Sequence, residues 1–270
     1  MYFKGGIDIG VIETDQWGEK YFEQPWRMGK LARPEITDEH DFYQYLLRFG
    51  MYEPSKRSLR LFNQLKQEKV WERVEVIYQK YKKKWGGPSV NIYLFPINQN
   101  HHFFMRQLRG RAGLSFSDAI FLFISAGLSD EQLEALFVHE YHHTARMSTY
   151  KKETNEYTLL DSILFEGLAE TAVLNSCGKK HTAFWTEAFS KDKLKEMMEK
   201  YYIPSFQIKR NDSKHDHLLF GGRKGIPNMM GYAIGYEIAR GYIRNNKITM
   251  KDTFSISSNE MLKNNSFITS

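Results

Sequence analysis

Residues 129–143 read Ser129-Asp130-Glu131-Gln132-Leu133-Glu134-Ala135-Leu136-Phe137-Val138-His139-Glu140-Tyr141-His142-His143, and how this stretch folds decides the rest. Its first four residues form a capping box. The Ser129 hydroxyl can accept the amide three positions on, and the Gln132 side chain can reach back to the Ser129 amide. Leu133, Leu136, Phe137 and Tyr141 then recur at helical spacing and supply a buried stripe. The helix so predicted carries His139-Glu140-Tyr141-His142-His143, the pattern H-E-x-x-H. Residues four apart on a helix lie above one another, so His139 and His143 present two imidazoles to one point. Such a pair suits Zn²⁺, with Glu140 placed to take a proton from water activated by the metal. Five residues match a pattern by chance often enough that the weight falls on the helix beneath them and on a third ligand.

Hydrolytic zinc takes three protein ligands and keeps one position open. A second helix is predicted over residues 158–175, with Leu160, Ile163, Leu164, Leu168 and Val173 as its apolar positions and an end near Asn175 and Gly178. Within it lies Glu166-Gly167-Leu168-Ala169-Glu170. Glu166 is the candidate third ligand, because a carboxylate on so apolar a helix is out of place. Small Gly167 and Ala169 let this helix pack closely against the first. Glu170, one turn on, is placed to accept the remaining N–H of a ligating imidazole. For both glutamates the competing reading is the solvent-facing edge of an amphipathic helix. A closed structural site would need a fourth ligand, for which only Cys177 and His181 are near, at no finger-like spacing. His142 points off the His139–His143 axis and is expected to be a partly exposed helix residue. A donor for a developing oxyanion is also needed. Tyr232 comes first, with Tyr236, His215, His217 and Arg223 as alternatives; each competes with an ordinary core or loop role.

The remaining chain predicts an α+β, mostly helical protein. Residues 1–35 read as an irregular or partly helical lead-in. A helix follows over 37–49, with Thr37 as cap and Gly50 as stop. Residues 56–84 form one long helix or two with a break near Gln67. Alternation predicts a strand at 90–97, and the apolar run 119–124 predicts a strand buried on both faces. Residues 103–117 are ambiguous between a bulged strand and a loop. Helix is expected again over 181–202, then a turn-rich segment to 228. A last helix over 229–244 has Gly231, Gly235 and Ala239 along one smooth face, and the segment 246–270 reads as a short element with a loose tail. This divides into an N-terminal helical segment, 1–85, packed on a catalytic part, 86–270.

With 41% hydrophobic and 26% charged residues, a chain of 270 residues can bury a real core. A single cysteine, Cys177, excludes an intramolecular disulfide framework and suits a reducing compartment. No apolar run is long enough to cross a bilayer and the first residues hold no signal core, so the expectation is a cytoplasmic protein with no membrane partner. The net charge of +6 is scattered rather than gathered on a reading helix, which weighs against nucleic acid. The Lys80–Trp85 cluster complements a helix C-terminus without any partner.

Val-His-Glu-Tyr-His-His, then Phe-Glu-Gly-Leu-Ala-Glu, then Met-Gly-Tyr-Ala-Ile-Gly-Tyr on a later helix resemble the bacterial family of predicted Zn-dependent proteases of the YjaZ type, which is similar by motif to gluzincins. The resemblance covers residues from about 55 to 265. It implies a zincin-like fold with a small mixed sheet before the H-E-x-x-H helix. It also implies zinc on His139, His143 and Glu166, with Glu140 as general base acting on a peptide or protein substrate. By fold analogy, residues 112–117 or 119–125 would supply the edge strand that holds extended peptide. The reading from another class is a basic, helical binding protein whose metal site is structural or vestigial.

Overall fold

The structure, a computed structural model, describes residues 9–150, 152–263, 265 and 267. It is α+β and mostly helical, with helix at 62% of the described residues and one small mixed sheet. The chain forms two compact units, one up to Thr144 and one from Ala145.

The first unit runs β1 (Gly10–Val11), α1 (Thr14–Tyr21), α2 (Pro25–Ala32), α3 (Glu39–Phe49), α4 (Lys56–Gln67), α5 (Val70–Trp85), β2 (Asn91–Pro96), β3 (Arg111–Ser115), β4 (Ala119–Ile124) and α6 (Asp130–Thr149), whose last residues belong to the second unit. The α3 cap is Asp38 and not Thr37, because its carboxylate accepts two amides, those of His40 and Asp41. The break near Gln67 is real: Lys69 adopts a left-handed φ of 52° and separates α4 from α5. Lys82, Lys83 and Lys84 occupy the last turn of α5, where cations complement the helix dipole.

The sheet order is β1-β2-β4-β3, with β1, β2 and β4 parallel and β3 antiparallel to β4. All six β4 residues are buried, as expected of a continuous apolar run flanked by strands on both sides. The ambiguous stretch therefore resolves into β3, an edge strand, while 119–124 is interior and cannot serve as one. The other edge is β1, too short to show a hydrophobic period. The Glu75 carboxylate accepts the Val11 amide at 2.9 Å and so closes that edge with a charge.

The second unit contains α7 (Leu159–Cys177), α8 (Lys191–Met197), α9 (Ser213–Phe220), α10 (Met230–Asn246) and α11 (Ser258–Lys263). Thr158 and Asp161 cap α7 reciprocally. The smooth face of α10 does what its glycines suggest. A Cβ on Gly235 would stand 1.8 Å from the Ile163 carbonyl oxygen of α7, and one on Gly167 would meet the Gly235 backbone at 2.2 Å. Gly167 thus opens onto α10, a correction to its expected use against the H-E-x-x-H helix. Because α7 is buried along most of its length, it has several faces to fit rather than one.

Three further expectations are corrected. The helix expected over 181–202 forms only in its second half, as α8 capped by Ser190 and a π-helical continuation over Met198–Tyr202, while the first half is tight turns in which the Thr182 hydroxyl donates to the Lys179 carbonyl. The turn-rich stretch to 228 contains α9, capped by Asp212. The described part of the C-terminal segment is packed, while residues 268–270, the end of the expected loose tail, lie outside the described residues. Met250, Thr253, Phe254, Ser258, Met261 and Asn265 are buried, and Asn265 donates to the Ile238 carbonyl at 2.7 Å. Its polar side chains are internal partners, which composition alone reads as solvent-facing.

Candidate metal centre

The capping box forms as written: the Gln132 amide donates to the Ser129 hydroxyl at 3.3 Å, and the Ser129 amide to the Gln132 side chain at 2.9 Å. What sets the rotation of α6 is Tyr141. Its ring stacks on Trp85 at 5.8 Å, lies edge-on to Tyr78, and its hydroxyl donates to the Pro88 carbonyl at 3.0 Å. Burial, and secondly Tyr78, hold that phenol well above its ordinary pKa, so it remains a neutral donor. His142 is fully buried, edge-on to Trp85 at 6.2 Å, and not partly exposed as expected. Helical position excludes it from the histidine pair, but the aromatic neighbour decides its burial.

With that face fixed, Glu140 turns toward β3. Its Oε2 accepts the Ser115 hydroxyl at 2.6 Å, and its Cδ lies where a Cβ on Gly113 would be, 2.4 Å away. Neither residue stands out in the sequence; the only trace is a pair of small residues two apart on one face of a strand.

The His139 and His143 rings stand perpendicular, at 89°, with their Nε2 atoms 3.1 Å apart. A tetrahedral zinc with ligand bonds of about 2.05 Å would separate two nitrogens by about 3.3 Å, so the pair already has the spacing of two ligands. Donor atoms of His139, His143 and Glu166 all lie within 4.8 Å of one another, and His143 is buried while the other two are partly buried. Two imidazoles and a carboxylate form the donor set of a hydrolytic zinc site.

Glu170 is buried, and one of its oxygens accepts the Ala183 amide. Tyr232 is partly buried, edge-on to Trp185 at 5.4 Å and tilted against Phe220 at 5.9 Å. Tyr236 is buried, and burial raises its hydroxyl to about 12, with Arg240 pulling the other way. His215 lies on α9 rather than in a loop, buried between the Ser162 hydroxyl at 2.9 Å and Asp216 at 2.8 Å.

An H-E-x-x-H helix with two imidazoles and a carboxylate is the pattern of zinc-dependent peptidases. The chain belongs to the predicted Zn-dependent protease family (DUF2268), whose profile matches residues 70–263. Over 213 residues it is 36% identical to the uncharacterized protein YjaZ of Bacillus subtilis (strain 168), covering 78% of this chain and 81% of that relative. No solved structure matches. No described helix is long and apolar enough to cross a membrane.

Proposed function

We propose that the chain is a zinc peptidase of zincin type, with His139, His143 and Glu166 holding the metal and Glu140 as general base. The observation that carries this reading is the convergence of three ligand-type donor atoms within 4.8 Å, beside a carboxylate on the same helix; membership of the family supports it. Zinc bound there supplies Lewis acidity, which polarises a carbonyl and makes water a nucleophile at neutral pH. Glu140 takes the proton from the attacking water and returns it to the leaving amine. Tyr232 is our candidate donor to the oxyanion, and Glu170 orients a ligand.

An extended peptide fits β3. The Ser125 amide donates to Gly110 and the Phe116 amide to Ala119, so by the antiparallel alternation residues 110, 112, 114 and 116 bond to β4. Gly113 and Ser115 then direct their backbone groups away from the sheet, and a substrate strand can pair there. The single cysteine fits a cytoplasmic setting.

Metal analysis and peptide digestion test the reading. The purified protein should hold about one zinc per chain. Glu140→Gln should keep that zinc and lose at least about a hundredfold in peptide cleavage. Cleavage by the variant at the wild-type rate would remove Glu140 from the role; a zinc-loaded wild type that cleaves no member of a peptide library would leave a binding protein with a vestigial site.

A further inference from the structure

Glu140 can act as a base only if one carboxylate oxygen is held toward the reacting water, and a glutamate side chain has three rotatable bonds with which to miss. We propose that Ser115 is the positioning residue that removes this freedom: its hydroxyl pins Oε2 and thereby presents Oε1, while Gly113 leaves the space in which the carboxylate lies. The inference rests on the peptidase reading and adds to it a residue from another part of the fold.

Three observations support it. The Ser115 Oγ–Glu140 Oε2 distance of 2.6 Å is that of a hydroxyl bonded to a carboxylate. The same hydroxyl lies 2.9 Å from the Glu140 backbone carbonyl, so its one proton is shared between two oxygens of a single residue, with the shorter contact at the carboxylate. Gly113 does not have a positive φ, unlike nine other glycines among the described residues. Its backbone therefore tolerates any residue, and what forbids a side chain is the carboxylate: an added Cβ would lie 2.4 Å from Cδ and Cγ and 2.5 Å from Oε1. Residues 113 and 115 share one face of β3, so one strand supplies both the gap and the pin.

A merely structural Ser115 would stitch β3 to α6 through the backbone carbonyl and leave the carboxylate to orient itself. Ser115→Thr and Ser115→Val separate the two roles. Both side chains are branched and favoured in strands, and only threonine keeps the hydroxyl. With zinc bound and the best-cleaved peptide from an internally quenched library as substrate, Ser115→Val should lose about tenfold or more in kcat with KM within about twofold. Ser115→Thr should stay within about threefold of wild type in both.

The second readout needs no catalysis. In metal-free protein the threonine variant should melt about 3 °C above the valine variant, and the gap should shrink in a Glu140→Ala background, where only the residue-140 backbone carbonyl remains as acceptor. A valine variant as active as the threonine variant, in a wild type that cleaves, overturns the proposal and spares the peptidase reading. A threonine–valine melting gap of unchanged size in the Glu140→Ala background overturns it too, since the hydroxyl would then act through the backbone carbonyl and not the carboxylate. A zinc-loaded wild type that cleaves nothing fails the peptidase reading itself, and the Ser115–Glu140 bond is then only structural.

Discussion

Two polar clusters follow one another along α6, and they are completed in opposite ways. At Arg146, like meets unlike. Both terminal guanidinium nitrogens donate to carbonyls, those of Thr253 and Ile256, and the plane lies 4.4 Å over the Tyr150 ring. Nearby Asp161 accepts from Lys152 at 2.6 Å, Ser258 at 2.7 Å, and the hydroxyl and amide of Thr158 at 2.8 Å. At His139 and His143, the second of them three residues earlier, ligand-type atoms gather instead: the two Nε2 atoms lie 3.1 Å apart, with a Glu166 carboxylate oxygen within 4.8 Å. Matched donors and acceptors use up hydrogen-bonding capacity and lock a fold, whereas imidazole nitrogens and a carboxylate gathered at one point make a donor set that suits a cation. Burial of polar groups is common to both clusters, so burial does not single out the candidate metal centre; the ligand-type chemistry of its atoms does.

The comparison breaks most visibly at Arg146. Arg146→Met should cost about 3–5 kcal/mol in denaturant unfolding, because it strands the buried Thr253 carbonyl and the part-buried Ile256 carbonyl and removes the charge that Asp161 feels. A loss under about 1 kcal/mol would show that water replaces the guanidinium, and that the cluster is not a lock.

Asp161 gives a smaller and pH-dependent effect. Burial pushes its carboxyl up, but bonds from Lys152, Thr158 and Ser258 outweigh this and hold it below its usual value. A depressed folded-state pKa contributes stability above the unfolded value near 3.9, and that contribution disappears as pH falls through the folded value. Asp161→Asn should therefore be about 1–2 kcal/mol less stable than wild type at pH 7, with the gap narrowing below about pH 4. A gap independent of pH would assign the loss to the cap geometry alone.

His139→Ala should change metal-free stability least, by about 0.5 kcal/mol or less, as befits a partly buried residue. Its effect lies in linkage. Zinc at a hundred times its Kd should stabilise the wild type by about 2.7 kcal/mol and this variant not at all. If the variant gains as much from zinc, His139 is not a ligand.

The sequence made α6 legible because its determinants are local: a cap, a helical apolar period and a motif that lie within twenty residues. The same holds for β4, whose apolar run has no other use, and for α7 and α10. β3 was ambiguous because an edge strand punctuated by Gly110 and Gly113 shows little periodicity, and its pairing partner lies eight residues further on. The histidine pair and Glu166 could be nominated from spacing and composition. Ser115 could not, since a serine in a strand has no signature until the strand is seen against Glu140. The fate of the C-terminal segment was hidden for a related reason: Thr253, Ser258 and Asn265 look solvated until Arg146, Asp161 and the α10 backbone are placed beside them.

What this sequence determined by itself, then, is the chemistry available: two imidazoles one helical turn apart, a carboxylate between them, and a further glutamate on an apolar helix. Those follow from i, i+4 geometry and need nothing beyond one helix. What only tertiary structure decided is how each group is aimed. Tyr141 and Trp85 set the rotation of α6, β3 receives Glu140, and glycine contacts seat α7 on α10. Aim depends on contacts between segments far apart in the chain, where packing at near-crystalline density leaves one arrangement and no local pattern records it.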